Sequence, residues 1–199
     1  MLTVLTIPNL LTLLRLALIP VFLILLEGVR YGEAFAVFVV AGVTDGLDGA
    51  IARLTHTKTT LGAYLDPAAD KLLLISAFIA LGFMHQVPRW LTVIVLSRDV
   101  MLVLGYFLLF MLTQETMEVR PSAAGKLSTF LQICAVSMVL VGLWRPALSA
   151  PKAQTVVFYA SGIVTSVAGL EYAVRGLAWL QRQGQPPVAA RKPSDRRRA

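Results

Sequence analysis

Apolar residues dominate this chain in six long blocks, separated by short polar interruptions such as His85-Gln86-Val87-Pro88. A helix that crosses a bilayer needs about 20 mostly apolar residues. Blocks of that kind cover residues 8–26, 33–53, 61–84, 89–112, 125–143 and 153–179. Pro8 falls where a first-turn proline is tolerated. No internal repeat stands out. The pattern predicts an all-α integral membrane protein of six transmembrane helices.

Composition agrees. The 199 residues are 57% hydrophobic, and mean hydropathy is +0.73. Charged residues make up 15% of the chain, against about 25% in soluble domains. One membrane domain, residues 1–181, accounts for nearly all of it. Residues 182–199 form a basic tail, with Arg191, Lys192, Arg196, Arg197 and Arg198, and Pro187 and Pro193 nearby. Its composition points to a disordered segment touching anionic headgroups rather than a nucleic-acid-binding arm. The N-terminal block has no basic residues before it and no small-residue cleavage site after it, so it reads as a retained span. Cys134 is the only cysteine and excludes an intramolecular disulfide.

Lysines and arginines fix the expected orientation. Arg53, Lys58, Arg120, Lys126 and the tail collect on one side, and Arg30, Arg89, Arg145 and Lys152 on the other. The first side is the richer and is expected to be cytoplasmic, together with both termini. Trp90, Trp144 and Trp179 fall near block ends, as interfacial anchors do.

Against this apolar background, two pairs of aspartates stand out. Asp45 and Asp48 are three apart at the end of the second block, and Asp66 and Asp70 are four apart at the start of the third. Both spacings put the paired side chains on one helix face. Ionisable groups in membrane segments are costly and usually face an interior site. Four carboxylates would repel one another unless cations neutralise them. Carboxylate oxygens are hard ligands for magnesium, manganese or calcium, and four of them on adjoining helices could hold two ions that clamp a diphosphate. No histidine–cysteine cluster offers a zinc site, and His56 and His85 fall in loops. Gly46, Gly49, Ala52 and Gly62 leave helix faces open enough for a nucleotide to lie against backbone. Arg53 can pair with phosphate oxygens. Small residues such as Gly42, Gly46 and Gly49 also serve close helix packing, and a lone aspartate could be neutralised by Arg15 or Lys71. Neither reading covers the whole constellation.

The run Asp45-Gly46-Leu47-Asp48-Gly49-Ala50-Ile51-Ala52-Arg53, then eight residues, then Gly62, Asp66 and Asp70, resembles the signature of CDP-alcohol phosphatidyltransferases, D-x-x-D-G-x-x-A-R, eight residues, G-x-x-x-D-x-x-x-D. Every fixed position matches. The stretches Ile7-Pro8-Asn9-Leu10-Leu11-Thr12-Leu13-Leu14-Arg15, Leu65-Asp66-Pro67-Ala68-Ala69-Asp70-Lys71 and Gly125-Lys126-Leu127-Ser128-Thr129-Phe130-Leu131-Gln132 are similar to phosphatidylglycerophosphate synthases and CMP-forming cardiolipin synthases. The resemblance implies six helices around a polar cavity open to the cytoplasm, in a homodimer. It implies two Mg2+ or Mn2+ ions held by Asp45, Asp48, Asp66 and Asp70, with Asp70 also the general base. Asp48, Gly49, Ala52, Arg53 and Gly62 would bind the cytidine diphosphate of CDP-diacylglycerol. The implied reaction passes the phosphatidyl group to an alcohol and releases CMP.

Lys126, Arg98, Thr129 and Arg15 are the candidate acceptor-binding residues, because an acceptor phosphate needs cations and hydroxyls. Arg98-Asp99 can be read as a local ion pair or a cavity wall, and Arg15 as a headgroup contact or an acceptor contact. Glu171 and Arg175 read as an intrahelical ion pair. Both glycerol-3-phosphate and the phosphatidylglycerol headgroup carry a phosphate, so charge does not choose between them. Ser97-Arg98-Asp99-Val100-Met101-Leu102 looks more like the cardiolipin synthase branch. The short chain and the Gly125-Lys126 start look more like the glycerophosphate branch, and the reading leans to glycerol-3-phosphate. A divalent-cation transporter or a scaffold with a structural metal are the competing classes. Both leave Gly49, Ala52, Arg53 and Gly62 without a use.

Overall fold

In the computed structural model the chain is described over residues 7–55, 60–113 and 122–183, with side chains described mainly outside residues 7–12, 45–70 and 112–121. Six long helices follow one another: α1 (Ile7–Glu27), α2 (Tyr31–Thr55), α3 (Thr60–Phe83), α4 (Arg89–Thr113), α5 (Ala123–Trp144) and α6 (Pro151–Gln183), with a 3₁₀ turn at Pro146–Leu148. Each agrees with a block of the sequence to within a few residues. The basic tail lies outside the described residues. Among the described residues, two helices, Ala123–Trp144 and Pro151–Trp179, are long and apolar enough to cross a membrane by themselves.

Short turns at one end of the bundle join α1 to α2, α3 to α4 and α5 to α6, and each of these pairs packs together. Two of the turns close through a residue in the left-handed region. Val29 has φ 61° beyond the end of α1, and the Arg30 N–H donates to the Leu25 carbonyl at 2.9 Å. His85 has φ 58° beyond α3, and the Gln86 N–H donates to the Leu81 carbonyl at 2.9 Å. This is how helix ends satisfy their last carbonyls.

Packing divides the molecule in two. Among the described residues, helix α1 rests on α2 and α3, whereas α4 and α5 both rest on α6. Contacts of α2 with α5, and of α3 with α4 and α5, join the two halves. The apolar core sits toward the turn end, built from Phe22 and Leu26 of α1, Phe38 of α2, Phe78 and Leu81 of α3, Leu91 of α4 and Leu140 of α5. Buried polar side chains, Arg15, Arg98, Asp99, Ser128, Gln132 and Thr165, gather toward the other end. The outer surface is apolar over most of its height, with Phe83 80% exposed and Ile24, Leu104, Ile163 and Leu170 each at least 60% exposed. Soluble monomers do not show apolar surface on this scale. It is the exterior of a membrane protein.

Helix α6 meets its neighbours through small and polar residues. The buried positions Ser161, Gly162, Thr165, Ala168 and Gly169 recur every three to four residues, which lets backbones approach closely; Thr165 faces α5, while Gly162 and Gly169 face α4. A Cβ on Gly162 would lie 2.5 Å from the Trp90 ring of α4, and Trp90 stacks on Tyr159 at 5.2 Å.

A β-branched residue in the left-handed region costs about 1–2 kcal/mol. Val29 is 65% exposed and contributes little burial in return. Val29→Gly is therefore expected to raise the thermal midpoint in detergent, by about 1 kcal/mol of stability. A lower midpoint would show that the turn does not depend on that backbone conformation.

Candidate active site

Helix α2 carries Asp45, Asp48, Gly49, Ala52 and Arg53 in its final turns, and α3 carries Gly62, Asp66 and Asp70 in its opening turns. The two helices touch. Only residues 56–59 separate them, so the end of α2 and the start of α3 lie within about 18 Å of each other. Continuous helix through both segments keeps each aspartate pair one turn apart along its axis. The side chains of these eight residues lie outside those described, and so does the expected polar cavity. His56 lies in the connecting segment, also outside. His85 is exposed in its turn, where Arg89 reaches its ring at 2.7 Å.

One residue beyond Asp70, the described side chains begin with a partly buried charge cluster. The Lys71 ammonium of α3 donates to Asp99 Oδ1 of α4 at 2.8 Å, and Arg98 Nη1 donates to the same oxygen at 2.7 Å. Arg98 and Asp99 are 7% and 5% exposed. Lys71 thus pairs with Asp99, a carboxylate outside the signature. The Arg98-Asp99 ion pair expected from sequence is present.

Arg98 continues across to α5 and α6. Its guanidinium carbon stands 5.9 Å from the centre of the Tyr172 ring, and its stem packs beside Gly169. A Cβ built on Gly125 would come within 3.5 Å of Arg98 Nη2 and 3.2 Å of Tyr172 Oη. Ser122 caps α5: its hydroxyl accepts from the Gly125 N–H at 3.0 Å, while its own N–H reaches Tyr172 Oη at 3.4 Å. Lysine, arginine, aspartate, tyrosine and a helix N-terminus therefore meet where α3, α4, α5 and α6 come together.

The other acceptor candidates are placed differently. Lys126 and Thr129 are exposed on the first turns of α5, and the Thr129 hydroxyl donates to the Gly125 carbonyl at 3.2 Å. Arg15 is 1% exposed on α1, so it is enclosed by the protein rather than reaching headgroups. Ser128 joins Gln132 and Thr165 in a buried network with distances of 2.8–3.1 Å, holding α5 to α6. Glu171 and Arg175 form the expected intrahelical pair.

Sequence reasoning missed Lys71, Tyr172 and Ser122 as parts of this cluster. A serine just ahead of an apolar block is a cap signal. Tyr172 follows Thr165 by seven residues on the same α6 face. Nothing local to Lys71 reveals that its partner lies 28 residues away. A cavity of about 310 Å³ opens at the opposite end, between Ile79, Phe83, His85, Arg89, Thr92 and Leu96. Its walls are mainly apolar and it lies far along the helices from the aspartates.

The sequence matches the family of the CDP-alcohol phosphatidyltransferases. The model of that family matches residues 5–168, and the chain belongs to the family. It is 37% identical over 177 residues to a "Probable phosphatidylglycerophosphate synthase" of Mycobacterium tuberculosis, covering 85% of this chain and 80% of the relative. It is 34% identical over 181 residues to the CDP-diacylglycerol–glycerol-3-phosphate 3-phosphatidyltransferase of Bacillus subtilis, covering 83% and 92%. It is 36% identical over 150 residues to the CMP-forming cardiolipin synthase of Rattus norvegicus, covering 68% of this chain and half of that one.

Losing an N-cap hydroxyl costs about 1 kcal/mol. Ser122→Ala is expected to lower the thermal midpoint by that amount and to weaken acceptor use by loosening the turn that carries Gly125. Ser122→Asn should restore both. Equal midpoints for all three proteins would show that the cap does not hold this turn.

Proposed function

We propose that this protein transfers the phosphatidyl group of CDP-diacylglycerol to glycerol-3-phosphate and releases CMP. The observation that carries the reading is the complete eight-residue signature on the abutting ends of two contacting helices. The name of the B. subtilis relative supports the choice of acceptor. In this reading all six helices span the membrane. The signature end and both termini face the cytoplasm, and two copies associate.

The donor set suits a hard divalent cation. Neither α2 nor α3 contains a histidine or cysteine, and the carboxylates of Asp45, Asp48, Asp66 and Asp70 are oxygen ligands. They would hold two Mg2+ or Mn2+ ions, which would supply neutralisation of the diphosphate and polarisation of the reacting phosphoryl group.

The chain's own residues do the rest. Gly49, Ala52 and Gly62 leave the cytidine room against backbone, with Asp48 beside them, and Arg53 pairs with the diphosphate. Asp70 takes the proton of the acceptor hydroxyl. The acceptor oxygen bonds to the phosphorus bearing diacylglycerol as the bond from that phosphorus to the CMP oxygen breaks. The acceptor's own phosphate is held by Arg98, where Lys71, Tyr172 and the start of α5 converge. Lys126, Thr129 and Arg15 remain candidate contacts.

A second reading takes phosphatidylglycerol as the acceptor and makes cardiolipin. Asp99 favours it, because Arg-Asp at this point resembles the cardiolipin synthase branch, as does the likeness to the rat enzyme. Cation transport leaves the glycines and Arg53 of the family signature unused.

Purified protein given CDP-diacylglycerol is expected to release CMP only when a divalent cation and glycerol-3-phosphate are both present, with phosphatidylglycerophosphate as the lipid product. Cardiolipin formed from phosphatidylglycerol would establish the second reading instead. Cation flux without CMP release would overturn both.

Asp70→Asn is expected to cut turnover at least about 100-fold, the contribution of a general base. It should leave CDP-diacylglycerol affinity within a few-fold. Retained turnover would remove Asp70 from the base role.

A further inference from the structure

Asp99 is the one carboxylate in the described cluster, and its Oδ1 receives both cations. Among the described side chains, two cations on one carboxylate leave a net charge of +1, with Arg98 buried and Lys71 partly exposed. A buried, uncompensated cation is costly, and a bound anion would offset it. Arg98 shows where that anion would lie. Its Nη1 is committed to Asp99, but its Nε is buried with no hydrogen-bond partner. Buried guanidinium nitrogens are ordinarily satisfied. Beside it, the absence of a side chain at Gly125 lets the first turn of α5 pack closely on Arg98 Nη2 and Tyr172 Oη, which a Cβ there would meet at 3.5 and 3.2 Å. The N-terminal end of α5 adds the partial positive charge of a helix start.

We propose that Asp99 is a positioning residue for acceptor recognition: it fixes Lys71 and Arg98 as a two-cation clamp beside the first turn of α5, where the phosphate of the acceptor is received. The inference rests on the phosphate-bearing acceptor proposed above. Asp99 does not touch the acceptor. It acts through the two cations, Lys71 from α3 and its own neighbour Arg98 on α4, and sets their spacing. Lys71 directly follows Asp70, so the bond that aims the clamp also ties α4 to the stretch of α3 bearing the proposed base. Recognition of the acceptor's phosphate and placement of its hydroxyl near Asp70 are thereby coupled through one carboxylate oxygen. Tyr172 supports the arrangement from α6, its ring toward the guanidinium and its hydroxyl toward the Ser122 N–H.

The test is steady-state kinetics in detergent for wild type, Asp99→Asn, Asp99→Glu and Lys71→Gln, with CDP-diacylglycerol and glycerol-3-phosphate varied separately. Asp99→Asn is expected to raise the KM for glycerol-3-phosphate about tenfold or more, the worth of a charge-assisted hydrogen bond. The KM for CDP-diacylglycerol should stay within about twofold by the same argument. It should also narrow the preference for glycerol-3-phosphate over glycerol, which lacks the phosphate. Asp99→Glu should recover part of the loss, because charge and both acceptor oxygens are kept. Equal increases in both KM values, or no change in either, would overturn the proposal.

Should Asp99→Asn fail to fold, Lys71→Gln decides the matter. It leaves a neutral Arg98–Asp99 pair and is expected to weaken acceptor binding selectively; an unchanged acceptor KM overturns the clamp. If wild type uses phosphatidylglycerol and not glycerol-3-phosphate, the acceptor assignment fails, and the clamp stands or falls on the KM for phosphatidylglycerol in the same variants. CMP release with neither acceptor overturns both.

Discussion

A charge inside a membrane bundle has to be balanced by what the bundle itself supplies. Everything distinctive about this molecule follows from where that balance is struck. At the turn end, Phe22, Phe38, Phe78, Leu81, Leu91 and Leu140 pack into an apolar core that admits no charge. At the other end Arg98, Asp99 and Lys71 share a single oxygen, and the four signature aspartates stand on the adjoining turns. The apolar end holds the helices together, and this frees the polar end to keep ionised groups that no stability argument would place there.

The α5–α6 seam serves the same division. Ser128, Gln132 and Thr165 satisfy one another completely enough to be buried, while Gly162 and Gly169 let α4 approach α6. Buried polar networks of this kind specify one arrangement when their members are paired. The seam fixes the first turn of α5 relative to Tyr172 and, through Tyr172, to Arg98.

Much of this was legible in the sequence. The helices came from apolar blocks of the right length, because a lipid-facing helix is apolar on nearly every side and leaves little ambiguity with strand. The signature aspartates came from being out of place, and the Glu171–Arg175 pair from its spacing of four. The Lys71–Asp99 bond was not legible. It joins residues on different helices, and Asp70, next to Lys71, offered a nearer and more obvious partner. Grouping Lys126 and Thr129 with Arg98 had a similar cause: nearness in sequence to Gly125 does not tell which way a side chain leaves the helix. In the structure both are exposed, and Gly125 is the position that faces Arg98. Membership of the CDP-alcohol phosphatidyltransferases was readable from the motif alone, because its spacing survives in full.

The separation of the bundle into α1–α3 and α4–α6 carries a consequence for how the enzyme could be regulated or inhibited. The signature residues belong to the first trio, and Arg98, Tyr172 and the head of α5 belong to the second, with Lys71 of α3 reaching across to Asp99. In the proposed reaction the two reactants would therefore meet at the junction that this bond spans. A lipid or drug wedged into that junction would leave each reactant seated and yet stop them from meeting, an uncoupler rather than a competitor.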